Sequence, residues 1–223
     1  MSDLEGYTDR TEAGIVLARQ LEAYRGRDAV VLALPRGGVP VAWEVAERLD
    51  LPLDLVFVCK LGAPSNPEVA LAAIAGLRGE VLVRNADVIR ASGCDAATLE
   101  RLAAREREVI ADRIKRYGAP GLPLAGRVAI LVDDGVATGA TMRAALRAVR
   151  AAGPEELVCA IPVASEDALE AIRTEADRVI CPLVPSYFGA VGAYYTYFGQ
   201  VPDAEVAQIL ATAQARPLGK DRA

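Results

Sequence analysis

Two adjacent carboxylates, Asp133 and Asp134, close an apolar run and are followed at once by Gly135-Val136-Ala137-Thr138-Gly139-Ala140-Thr141. Arg127–Val132 reads as a buried strand, and a helix is predicted from Thr141 to Ala152. The acids and the Gly/Thr turn therefore lie where a strand hands over to a helix. In open parallel sheets, ligands gather at that end of the strands. The free N–H groups of such a turn, with the helix N-terminus behind them, favour an anion and above all a phosphate. Thr138 and Thr141 add hydroxyl donors. Several charge-assisted bonds of roughly 1.5–3 kcal/mol each would fix a phosphate without a lysine. Asp133 and Asp134 repel that phosphate, so they suit sugar hydroxyls beside it, or help in holding a metal ion. Neither a G-x-x-x-x-G-K-[ST] loop nor a G-x-G-x-x-G fingerprint accompanies them.

A second group is Pro35-Arg36-Gly37-Gly38, after the apolar run Ala29–Leu34. Glycines let a backbone approach a ligand closely, and arginine brings a forked positive charge. A tight strand-to-helix turn explains the same residues. Lys60 opens a third group, Lys60-Leu61-Gly62-Ala63-Pro64-Ser65-Asn66-Pro67-Glu68, whose breakers read as a mobile loop. The fourth is aromatic: six of the eleven Phe, Tyr and Trp residues fall between 187 and 198 (Tyr187, Phe188, Tyr194, Tyr195, Tyr197, Phe198), enough either to stack on a heterocycle or to build a small core.

The string from Ala129 to Thr141 resembles the motif with which type I phosphoribosyltransferases bind 5-phosphoribosyl-1-pyrophosphate (PRPP). Ala33–Ala42, Lys60–Pro64 with Asn66–Glu68, and Phe188–Gln200 resemble a little-characterised subgroup of that family, so that the likeness covers most of residues 7–212. It implies an α/β fold with a mainly parallel central sheet, helices on both faces and a small hood from the termini. It implies that Asp133 and Asp134 bind the ribose hydroxyls and the Thr138–Thr141 turn the 5′-phosphate, with Gly135, Val136 and Ala137 completing the PRPP loop. Arg36, Gly37 and Gly38 would hold pyrophosphate, and Lys60 would close over PRPP on a mobile loop. Tyr187, Phe188 and Tyr194 would lie in the hood that caps the acceptor. The implied reaction is transfer of phosphoribose from PRPP to a nitrogenous, heterocyclic base or amine with release of pyrophosphate, Mg²⁺-dependent, the metal touching Asp133 or Asp134 at most through water. No covalent protein nucleophile is needed. Ala137 stands where 6-oxopurine enzymes of the family carry an acid, a departure that argues against hypoxanthine or guanine. The reading from another class is a PRPP- or nucleotide-sensing protein without catalysis. Homodimers are common in the family.

These groups need a scaffold. A helix over 9–25 is capped by Asp9 with Glu12, and Pro40 begins another with Val41, Val45 and Leu49 inward. Leu53–Val58 reads as one buried strand, Val69–Ala75 and Glu80–Val83 as a hairpin or flap. A charged helix over 95–116 has Leu99, Leu102, Val109 and Ile110 as inner positions. Leu157–Val163 and Arg178–Cys181 read as strands, Ser165 as the cap of a helix through Ala176, and Asp203 as the cap of one over 203–214. Strands apolar on both faces and alternating with helices require a parallel sheet covered on both sides. The core is placed at 27–185, with loop and flap at 60–84, the hood at 1–26 and 186–215, and a disordered tail at 216–223.

Composition narrows the field further. The 52% hydrophobic content supports a sizeable core, and the net charge of −5 argues against a nucleic-acid partner. There is no histidine, which removes imidazole catalysis and His-ligated zinc. The four cysteines form no C-x-x-C pair, and Cys59, Cys159 and Cys181 read as buried thiols. No apolar run is long enough to span a bilayer and the acidic start has no signal-peptide pattern, so a cytoplasmic location without membrane partners is expected.

Overall fold

In a computed structural model, residues 5–63 and 66–217 are described. The chain runs α1 (Arg10–Gln20), a 3₁₀ turn (Glu22–Tyr24), β1 (Ala29–Ala33), α2 (Gly38–Leu49), β2 (Leu53–Leu55), β3 (Phe57–Ala63), β4 (Asn66–Gly76), β5 (Val81–Arg84), α3 (Ala86–Ser92), α4 (Ala96–Tyr117), β6 (Val128–Val132), α5 (Ala140–Ala151), β7 (Glu156–Ala160), α6 (Glu166–Arg173), β8 (Arg178–Ile180) and α7 (Asp203–Ala215).

Alternate residues of the buried strands feed two different cores, which is why those strands are apolar throughout. Ala29, Val31 and Ala33 of β1 and Val128, Ile130 and Val132 of β6 pack with residues of α1, α2 and α7. Val30, Leu32, Ala129 and Leu131 face the other way, against Met142, Leu146, Val149, Leu169 and Ile172 of α5 and α6. The five strands pair in parallel in the order β2-β1-β6-β7-β8. From β1 the chain crosses to β2 on one side, and from β6 to β7 and β8 on the other. The order reverses between β1 and β6, and that switch point fixes where the loops after these two strands meet.

The segment read as one strand over Leu53–Val58 is two. β2 ends at Leu55 in the parallel sheet, and β3 starts a separate antiparallel sheet, β3-β4-β5. A run apolar but for Asp54 does not reveal such a change of partner, because no alternation marks it. The stretch from Lys60, read as a mobile loop, is likewise strand on both sides of Pro64 and Ser65, which lie outside the described residues. Register shifts flank Gly62, so the breakers mark irregular pairing near the hairpin tip. This flap rests on α5 through Ala75, Ala144 and Ala148 and against α4 through its other face.

Asp9, Asn85, Asp95 and Ser165 cap α1, α3, α4 and α6 with their side chains. Glu12 departs from the reciprocal box by accepting from Thr8 N–H instead of the cap's own. Asp203 does not cap α7: Pro202 is the cap, and the Asp203 carboxylate faces Arg36, Arg116 and Tyr117. In α4, Leu99, Ala103, Ile110 and Tyr117 are buried, whereas Val109 is exposed. Cys59 and Cys159 are buried free thiols and Cys181 is half-buried.

The termini interlock. Tyr7 pairs with Tyr195, Tyr7 N–H donates to Tyr194 O at 2.8 Å, and Tyr7 Oη donates to Pro162 O at 2.7 Å. Tyr7, Ala13, Val163, Leu183 and Tyr195 form a small separate core. Of the helices read from sequence as hood, α1 divides its apolar face, Ala13 packing in this small core and Leu17 and Ala18 in the main one, while Val206, Leu210 and Ala213 of α7 pack in the main core. Residues 218–223 of the expected tail lie outside the described residues.

Candidate active site

The loops after β1 and β6 leave neighbouring strands, since Ala33 pairs with Val132, and they are pressed together. A Cβ on Gly37 would overlap the Asp134 carboxylate; one on Gly38 would stand 2.9 Å from both the Asp133 Cα and the Val132 carbonyl oxygen. Gly38 is therefore required by the backbone of Val132 and Asp133, and Gly37 leaves room for the Asp134 carboxylate. Gly37 has φ −59°, so the demand is for space and not for an unusual backbone conformation. Gly38 N–H donates to Leu34 O at 3.1 Å, and the Pro35–Arg36 peptide bond is cis.

Asp133 and Asp134 are distinct in their surroundings. Asp133 Oδ1 accepts from the Asp134 N–H at 2.9 Å, and burial, then the neighbouring carboxylate, raises its pKa well above the usual range. Burial also raises Asp134, but the Arg10 guanidinium opposes it. Arg10 Nε and Nη2 both lie 2.8 Å from Asp134 Oδ2, and Nη1 donates to Gly199 O at 2.8 Å. The guanidinium lies 4.0 Å from the centre of the Phe198 ring. Tyr195 Oη donates to the Asp134 carbonyl at 2.5 Å.

Past the acids, the turn is tied to the end of β7. Val136 N–H donates to Val163 O at 2.9 Å, Ser165 N–H to Val136 O at 3.2 Å, and Ser165 Oγ to Ala137 O at 2.7 Å. Gly139 takes φ +77° and starts α5, a conformation that L side chains rarely adopt. Ala137, Thr138, Ala140 and Thr141 are exposed, whereas Gly135 and Val136 are buried. The turn thus presents Thr138, Thr141 and the first N–H groups of a helix to solvent at the switch point, a geometry suited to an anion.

Arg36 reaches sideways, with Nη1 3.4 Å from Asp203 Oδ1. That exposed, long contact is worth roughly 0–1 kcal/mol, little enough for an incoming anion to replace. Lys60, on the exposed face of β3, lines a cleft of about 520 Å³ between flap and α5 together with Thr141, Arg84, Arg143 and Arg147. The structure thus brings Lys60 to the first turn of α5, but not into the same cleft as Asp133 and Asp134. Glu175 holds two of these arginines, with Arg147 Nε at 2.9 Å and Arg143 Nη2 at 3.4 Å.

Among the aromatic candidates, Phe188 and Tyr194 pack on each other, ring centres 5.4 Å apart, against the small core of Tyr7 and Tyr195. Tyr194 Oη donates to Tyr187 O at 2.6 Å, but the Tyr187 ring itself is 83% exposed. Sequence reasoning missed Arg10 and gave Tyr195 no individual role. Arg10 had one signal: a cation at the first position of a helix opposes the helix dipole and needs another reason to be there.

A family model described as "Phosphoribosyl transferase domain" matches residues 11–197. Over 206 residues the chain is 44% identical to the Mycobacterium tuberculosis protein named "Putative phosphoribosyl transferase Rv0571c", a match covering 92% of this chain and 46% of that one. The chain therefore spans about half the length of the curated relatives it matches. The crystal structure of TT1426 from Thermus thermophilus is 48% identical, with a TM-score of 0.81, covering 93% of this chain and 98% of that one.

Proposed function

The chain belongs to the phosphoribosyl transferase domain family, and from that premise we propose that it transfers 5-phosphoribose from PRPP to a nitrogenous, heterocyclic acceptor with release of pyrophosphate. The observation that carries the reading is the meeting, at one topological switch point, of a paired-acid loop ending in a helix N-terminus with a Gly-Gly loop bearing an arginine. The first loop offers opposite chemistries a few residues apart: donors on Thr138–Thr141 for a phosphate, acceptors on Asp133 and Asp134 for a diol. PRPP carries both groups at matching ends of its sugar.

Asp133 and Asp134 provide hard oxygen donors of the kind magnesium takes. Among the described residues no group of three or more acidic, cysteine or histidine side chains stands ready for a metal. This donor set fits a magnesium ion carried chiefly by substrate oxygens and water, with Asp133 or Asp134 as the adjoining protein carboxylate. When bound, the ion would neutralise the pyrophosphate leaving group. The chain's own part is positioning and electrostatics. The turn anchors the 5′-phosphate, the acids orient the ribose, and Arg36 with the Gly37 amide meets the departing charge, the Gly38 N–H being taken by Leu34 O. Lys60 lines a cleft with Thr141, so movement of the flap would carry a cation along the edge of the phosphate turn and help exclude water. No protein nucleophile is required.

The reaction is tested by measuring pyrophosphate release from PRPP and magnesium across a panel of nitrogenous bases. Release with one base class supports the transferase. Tight PRPP binding without release for any base would instead identify a PRPP-sensing protein.

A further inference from the structure

The first helix reaches the second aspartate of the β6 loop through Arg10. We infer that Arg10 is a positioning residue of the sugar site, holding Asp134 so that one carboxylate oxygen remains to read the ribose diol. This rests on the proposed sugar-phosphate reading of the same site and adds a role that the hood was not expected to have.

Three observations carry it. First, the Arg10 fork engages a single oxygen: Nε and Nη2 both point to Asp134 Oδ2, each at 2.8 Å. Gly37 backs the same oxygen so closely that even a Cβ would overlap it. A Cβ at Gly37 would come nearer to Oδ2 than to Oδ1, which it would meet at 3.1 Å, so Oδ2 is the more closely enclosed oxygen and Oδ1 the one left for a ligand. Second, Arg10 is itself fixed, by Gly199 O at 2.8 Å and by the Phe198 ring at 4.0 Å, and both partners come from the C-terminal segment. Third, the pair is secluded, with the Arg10 and Asp134 side chains only 12% and 14% exposed. A surface ion pair would wander among rotamers; one enclosed by a glycine wall, an aromatic face and a backbone carbonyl has little freedom. Tyr195, bonded to the Asp134 carbonyl at 2.5 Å, holds the backbone of the same residue. The interlocked termini therefore act on the sugar end of the site.

The test compares ribose 5-phosphate with 2-deoxyribose 5-phosphate by calorimetry in wild type, Arg10→Gln and Arg10→Lys. The two ligands share the phosphate and the 3-hydroxyl, so their affinity ratio reports on recognition of the 2-hydroxyl of the diol. Wild type should favour the ribose compound about tenfold or more, the value of one hydrogen bond to a charged group. Arg10→Gln should lose most of that preference while keeping its affinity for the deoxy compound, which a general loss of structure would not spare. Arg10→Lys keeps the charge but not the fork and should fall between them; it also serves as the readout should Arg10→Gln not fold. Retention of the full wild-type ratio in a folded variant overturns the role of Arg10 while leaving the sugar-phosphate site intact. Wild type binding both ligands equally overturns recognition of the 2-hydroxyl by Asp134 and the role of Arg10 with it. Wild type binding neither overturns the site.

Discussion

At the scale of single residues, the candidate site is defined by close approach. Gly38 faces the backbone of Asp133 and Val132, which cannot rotate away as a side-chain tip can. Gly38→Ala should therefore destabilise the fold by roughly 1–3 kcal/mol, the usual cost of overpacking, and weaken PRPP binding as Asp133 is displaced. Urea denaturation and calorimetry on the same preparation check both; an unchanged midpoint would show that the loops can separate freely. Part of this was legible in the sequence. The string of acids, glycines and threonines marks a strand-to-helix turn and suggests a sugar-phosphate ligand, because those residue types serve few other purposes in that order. Gly37 and Gly38 were legible as special but for a different reason: they suggested room for a ligand, and in the structure they make room for Asp133 and Asp134. Arg10 was not legible as a partner of Asp134, since the contact spans 124 positions of sequence and nothing local records it.

At the scale of elements, the Asp9 and Ser165 caps and the buried strands were readable, whereas the start of α7, where Pro202 and not Asp203 is the cap, and changes of strand partner were not. The separation of β2 from β3 is hidden because Leu53–Val58 is apolar almost throughout, whereas Lys60 and Gly62 looked like loop residues because one face of β3 is open. Their placement on a strand makes a specific prediction for the flap. Lys60→Ala should leave PRPP affinity largely intact yet lower turnover on the order of 10²-fold, the effect of removing one charge-stabilising group from a transition state; steady-state pyrophosphate release gives the answer, and unchanged turnover removes the flap from the mechanism. A second prediction concerns the join between α5 and β7. Arg150, then the Leu157 N–H, holds the Asp177 carboxyl below its ordinary pKa of 3.8. A depressed folded pKa gives stabilisation that is complete above the ordinary value and lost as pH falls through the depressed one. Asp177→Asn should thus cost roughly 1 kcal/mol or less at neutral pH, because the pair with Arg150 is half-exposed, and the gap from wild type should close below pH 3.8. Urea melts at several pH values measure it, and a gap that widens in acid would contradict the assignment. Burial raises Asp54, Asp133 and Asp134 instead, giving the opposite slope, so the comparison must be made variant against wild type.

At the scale of the molecule, the parallel sheet divides the interior into two cores and leaves its switch point facing the interlocked termini. The alternating pattern of apolar strands and helices was enough to anticipate a sheet covered on both sides. It was not enough to show that α7 and the second half of α1 pack in the main core, because an amphipathic helix records that it is half-buried but not against what. Among the described residues no helix is long and apolar enough to cross a membrane. The central claim is that the β1 and β6 loops together bind a phosphorylated ribose, and calorimetric titration of PRPP with magnesium into wild type and the Asp133→Asn/Asp134→Asn double variant tests it most directly. Saturable one-to-one binding by wild type, weakened at least about a hundredfold in the variant by the loss of two charge-assisted hydrogen bonds, is the predicted result. Equal binding by the two proteins, or none by wild type, would contradict it.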